Sequence, residues 1–294
     1  MRVAGRRAGR VLAASAALLL ACRSQAGRLE EANTLRHRGE AKGALERYKA
    51  ILADLGDGAL GAERAAVRFK ALKGAGDVSY LELGDYTGAV SYYRRIISLY
   101  PGTVGAREAR AAIGDIYRER FHDNLGAIAQ YADVASSDAP EAPHYQLEVA
   151  KAYLELKNYR QARTEARILL ERWPGHPLSE DAQLLAAQTW GLEKRDQEAL
   201  SAFQALVDRH PREEILARAL EGEAHLEAQA SHFDRAIELY ERALPIHPNP
   251  DAIRTNLAAV RERRAKAMPA TPGDRAAAFD ADKVRQRRQG ETIQ

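Results

Sequence analysis

Small and apolar residues recur along this chain at three- and four-residue intervals, in blocks that proline or glycine interrupts. That interval marks one face of an α-helix, because residues three and four apart lie above one another on its surface. The blocks themselves repeat. Aligned on Ala89, in the segment from Gly84 to Pro101, small residues recur at Ala44, Ala127, Ala162, Ala199 and Ala236. Four positions later stand Tyr48, Tyr93, Tyr131, Phe203 and Tyr240, with Ala166 in the remaining copy. Three further on come Ile51, Ile96, Val134, Leu169, Leu206 and Ala243, and four copies close on Pro101, Pro174, Pro211 and Pro248. Successive alanines are 45, 38, 35, 37 and 37 residues apart.

The pattern resembles that of the tetratricopeptide repeat, and the resemblance implies that each block is the second helix of an antiparallel pair. The alanine marks the closest approach of the two helices, where a larger side chain would hold them apart. The aromatic one turn on fills the space between successive pairs, and proline stops the helix because it has no N–H to donate. The first helices show in Ala150 with Tyr153 and Ala187 with Trp190, and Gly84-Asp85-Tyr86, Lys157-Asn158-Tyr159 and Ser231-His232-Phe233 occupy equivalent turns. Six pairs are expected over 27–249. A capping helix is expected over 250–267, covering the last pair with Ile253, Leu257 and Val260, and a disordered charged tail over 268–294.

In that family the repeat is a pair of helices in ~34 residues. The resemblance implies an all-α fold, a right-handed superhelical solenoid of about six helix pairs with a C-terminal capping helix. It also implies a concave wall lined by the first helices, which would place His144, Lys151, Glu155, Asp181 and Gln188 towards a groove for an extended or helical peptide. The repeat-packing residues would be Ala89, Tyr93, Ala162, Ala199, Phe203, Ala236 and Tyr240. Junctions such as Tyr100-Pro101-Gly102 and Trp173-Pro174-Gly175-His176-Pro177 look like the envelope group of these proteins. That group includes the lipoprotein of the β-barrel assembly machinery and the periplasmic coordinator of the Tol–Pal system.

The N-terminus changes the picture from a scaffold to an anchored scaffold. Arg2, Arg6, Arg7 and Arg10 precede an apolar run from Val11 to Ala21, too short to span a bilayer and suited to a secretory signal over 1–21. Leu19-Leu20-Ala21-Cys22 resembles the bacterial lipobox, which implies lipid on Cys22, the only cysteine, followed by a short tether over 22–26. Each buried CH₂ contributes ~0.8 kcal/mol, so two or three acyl chains anchor durably where one does not. Arg23 stands where an aspartate would mark inner-membrane retention, so the resemblance implies the periplasmic face of the outer membrane.

Charge and chemistry narrow the function. Four of the 44 lysines and arginines lie in the first 21 residues, leaving 40 basic against 41 acidic side chains. A near-neutral remainder has no basic field to draw it onto nucleic acid. Gly56-Asp57-Gly58-Ala59-Leu60-Gly61 fits a dinucleotide-loop string, but a helix and not a strand precedes it, so it reads as a flexible joint between pairs. The histidines lack ligand spacing, and His210 and His247 stand where Tyr100 and Trp173 stand in other copies, as packing residues. No nucleophile elbow, phosphate loop or C-x-x-C is present.

The expected function is therefore a non-catalytic adaptor without cofactor or metal. Its partners would be envelope proteins or their peptide segments, reached from a lipid anchor, as in β-barrel assembly. The alternatives are a pilotin-like or motility-complex lipoprotein assisting a secretin, and, further off, a helical cell-wall hydrolase.

Overall fold

The computed structural model describes residues 25–267, so Cys22, the signal segment and the expected tail lie outside the described residues. Among the described residues every regular element is helical. In chain order these are α1 (25–37), α2 (Ala41–Leu55), α3 (Ala62–Asp77), α4 (Tyr86–Leu99), α5 (Val104–Glu119), α6 (Asn124–Ala135), α7 (Ala142–Glu155) and α8 (Tyr159–Arg172). They continue with α9 (Ser179–Leu192), α10 (Asp196–Val207), α11 (Glu213–Gln229), α12 (Phe233–Ala243) and α13 (Pro250–Ala267). A π turn, Val78–Glu82, prolongs α3. No helix among the described residues is long and apolar enough to cross a membrane.

The chain divides after Leu178 into two compact units, α1–α8 and α9–α13. Within each, consecutive helices pack in antiparallel pairs, and in the second unit α9 also packs on α11. The all-α paired architecture read from the sequence is the one observed. The six alanines of the repeat are fully buried, each at 0% exposure, which is the steric demand of close helix approach. The aromatics divide. Tyr48 and Phe203 lie over Gly74 and Gly222 in the following pair, whereas Tyr93 and Tyr131 lie over Gly76 and Gly114 of their own pair.

The turn inside each pair has one geometry, built on a left-handed residue just before the N-cap. Those residues are Gly39, Gly84, His122, Lys157, Lys194 and Ser231, with φ between 53° and 79°. Asp85, Asp123 and Asn158 then cap α4, α6 and α8, accepting from the backbone N–H of Gly88, Gly126 and Gln161.

Two expectations change. The glycine-rich joint at Gly56–Gly61 is pinned, because the guanidinium of buried Arg68 donates to the carbonyls of Gly56 and Gly58 at 2.9 and 2.8 Å. Arg68 also donates to the Tyr100 hydroxyl at 2.9 Å, which in turn donates to the Ala65 carbonyl. His210 is not a packing residue. It is exposed and takes a left-handed turn at φ 53°, while His247 packs its side chain at 8% exposure against Glu221.

Candidate functional site

Residues on one stripe of α11, at Arg218, Glu221, Gly222, His225 and Gln229, follow the three-and-four spacing and so share one side of the helix. On α9 the same side carries Gln188, Gly191 and Leu192, and since α9 and α11 pack together the two stripes form a continuous wall. Asn256 of α13 closes the far edge and Lys194 the near one. The result is a groove of about 530 Å³ on the second unit.

Its floor is apolar, made by Phe203, Leu226 and Tyr240. Glycine at 191 and 222 keeps the backbone bare there. A Cβ at Gly222 would collide with the ring of Phe203, so that glycine is required by packing. Burial first, and then the nearby Glu221, pushes the Tyr240 hydroxyl up to about 12, so it stays protonated at neutral pH. Glu221 itself meets Nε2 of His247 at 3.2 Å. Arg218 pairs with Glu214 at 2.8 Å on the outer edge of α11.

The corresponding wall of the first unit is chemically different. Tyr48 donates to Asn33 at 2.7 Å, Tyr93 to Asp77 at 2.9 Å and Tyr131 to Asp115 at 2.7 Å. Asp77 also lies within ion-pair reach of Arg36 and Lys73. Burial holds the Asp115 carboxyl above the usual carboxylate range, and it drives both Tyr93 and Tyr131 well above theirs. Glu148 shows the opposite balance. Burial pushes it up, but Lys151 at 2.8 Å and Arg118 together hold it below the ordinary value.

The expected groove residues fall in different places. Gln188 lines the groove. Asp181, at the start of α9, is bonded to Arg212 at 2.6 Å and does not line it. His144, Lys151 and Glu155 belong to α7 in the first unit, where His144 is exposed beside the Tyr145 ring, Lys151 is paired with Glu148 and Glu155 is exposed at the helix end.

Arg218, His225, Gln229, Lys194 and Asn256 were not anticipated. The repeat carried the signal for three of them. Adding the 37-residue period to Asp181 gives Arg218, to Gln188 gives His225, and to Leu192 gives Gln229. Among the described residues no group of three or more His, Cys, Asp or Glu is placed to hold a metal ion.

A family model described as tetratricopeptide repeat matches residues 116–177, 147–214 and 197–253, and a second model of the same description matches 76–103. Comparison with curated protein sequences gives no match. The fold is similar to that of apo RapI, with 14% identity over 82% of this chain and 72% of that one and a TM-score of 0.53. It is similar as well to a chain of the Naa15/Naa10 complex bound to HypK-THB, at 13% identity over 88% of this chain and 36% of that one, with a TM-score of 0.53. Pseudomonas aeruginosa PilF aligns at 14% identity over 80% of this chain and 97% of its own, with a TM-score of 0.48. At such identities the likeness is one of fold.

Proposed function

Because this chain is a tetratricopeptide-repeat protein, with repeats matched over 76–103 and 116–253, we propose that it is a non-catalytic scaffold that holds a peptide segment of another protein in the groove on α9, α11 and α13. The observation that carries this reading is the composition of that groove. An apolar floor sits beneath amide and charged side chains that line an open wall, the arrangement that seats a peptide by its apolar side chains and orients it by its polar ones.

The scaffold works, in the same proposal, from the periplasmic face of the outer membrane, as an adaptor in an envelope assembly complex such as the one that inserts β-barrel proteins. Support for the location comes from the sequence: the arginine head, the apolar run from Val11, and Leu19-Leu20-Ala21 before Cys22. A lipid on that cysteine would concentrate the groove at the membrane surface, raising its effective concentration for partners assembled there.

Two measurements test this. A photo-crosslinking amino acid at Gln188, in the full chain expressed in its native membrane, is expected to capture one stoichiometric envelope protein; capture of none overturns the scaffold reading. Labelled palmitate is expected to enter the parent chain and not the Cys22→Ser variant, and equal labelling of both overturns the anchor.

A further inference from the structure

One position recurs in the first helix of every pair, directly after the small residue at the helix contact. It is occupied in turn by Asn33, Asp77, Asp115, Lys151, Gln188 and His225. In the first unit all four of these side chains already have internal partners. Asn33, Asp77 and Asp115 accept from the hydroxyls of Tyr48, Tyr93 and Tyr131, and Lys151 is paired with Glu148. Spending such a side chain on a ligand would strip a half-buried partner of its hydrogen bond.

In the second unit the same position is released. Gln188 faces the register of Phe203, which has no hydroxyl to offer, and His225 meets only Gln229 on its own helix, at 2.6 Å; both are exposed. The tyrosine stands fifteen residues from its acceptor in the first pair and sixteen in the second and third. A tyrosine hydroxyl engages this position in the first three pairs and a carboxylate in the fourth, whereas Gln188, in register with Phe203, and His225, which bonds Gln229 and not the Tyr240 hydroxyl in its register, are left to the groove.

Charge then selects the occupant. Lys194 borders the groove, as does Arg218, which shares its charge with Glu214 on its own helix, and the one acid in the lining, Glu221, is engaged by His247. Amides at Gln188, Gln229 and Asn256 both donate and accept, which suits a peptide backbone. We infer that ligand recognition is confined to the second unit, and that its groove takes a partner segment in which acidic side chains alternate with apolar ones. This rests on the scaffold reading and adds to it a place and a charge.

The test uses the full chain and three fluorescent twelve-residue peptides that alternate leucine with aspartate, with lysine or with serine. The aspartate peptide is expected to bind about tenfold tighter than the lysine peptide, the difference fading at high salt. Arg218→Glu should weaken it by about tenfold and Arg218→Lys by less than about threefold, since charge and not fork geometry is what the groove supplies. Asp77→Asn and Asp115→Asn should leave it unchanged.

Equal or tighter binding of the lysine peptide overturns the inference, as does weakening by the aspartate-to-asparagine variants equal to that by Arg218→Glu. In either case a crosslink from Gln188 leaves the scaffold reading standing. Failure of all three peptides together with an empty crosslink at Gln188 sinks both. Unchanged melting midpoints in the variants separate loss of binding from loss of fold.

Discussion

The hydroxyl of Tyr131 donates to Oδ1 of Asp115 across 2.7 Å, joining the second helix of a pair to the first. Tyr93 and Asp77 repeat the bond, and in the first pair Asn33 receives it from Tyr48 with an amide oxygen in place of a carboxylate. The acceptor need not be charged. In Asp115 the charge works against the fold, because burial raises its pKa.

Asp115→Asn should keep the bond and remove the cost of a buried charge. A raised folded pKa means stability that is present below the unfolded value and lost as pH rises through the folded one. The variant should therefore be at least as stable as the parent at pH 7, with an advantage that shrinks as pH falls through the ordinary carboxylate range. Urea unfolding at pH 7 and pH 4 measures both.

Glu148→Gln should behave in the opposite sense. Lys151 and Arg118 hold Glu148 below its usual pKa, so its contribution is present above the unfolded value and lost as pH falls. Neutralising it leaves Arg118 without its carboxylate in a half-buried site, at a cost of about 1–3 kcal/mol at pH 7. The acid sensitivity of the parent in this region should be smaller in the variant, by the same unfolding measurement.

Two glycines in helices should respond oppositely to alanine. A Cβ at Gly114 collides with the Tyr131 ring, so Gly114→Ala should lose about 1–3 kcal/mol through overpacking. At Gly191 the nearest atom to an added Cβ is that of Ala199 at 3.8 Å, so Gly191→Ala should gain about 0.5–1 kcal/mol by restricting the unfolded chain. Thermal unfolding of the two variants side by side tests the contrast.

Four of the six turns within pairs place a residue other than glycine in the left-handed region: His122, Lys157, Lys194 and Ser231. Lys157 has φ 57° and is exposed, so Lys157→Gly removes Cβ strain without disturbing a contact. A gain of about 1 kcal/mol is expected, read as a raised melting midpoint. The same change at Gly84 in reverse, Gly84→Lys, should lower it.

The period of small, aromatic and apolar residues determined the helix pairs, because close approach of two helices admits only a small side chain at the contact and that demand recurs wherever a pair does. Ala44, Ala89, Ala127, Ala162, Ala199 and Ala236 could be placed in the core from the sequence alone. Tertiary structure decided which wall residues are free: a tyrosine hydroxyl holds Asp77 and Asp115, Glu148 holds Lys151, and Gln188, in register with the bare ring of Phe203, is left open. It also decided that Arg68 pins the Gly56–Gly61 joint and that Lys194, Arg218, His225 and Asn256 meet around one groove. Repetition along a sequence records steric need at each position; the pairing of polar groups across helices is set only when the stack brings them within bonding distance.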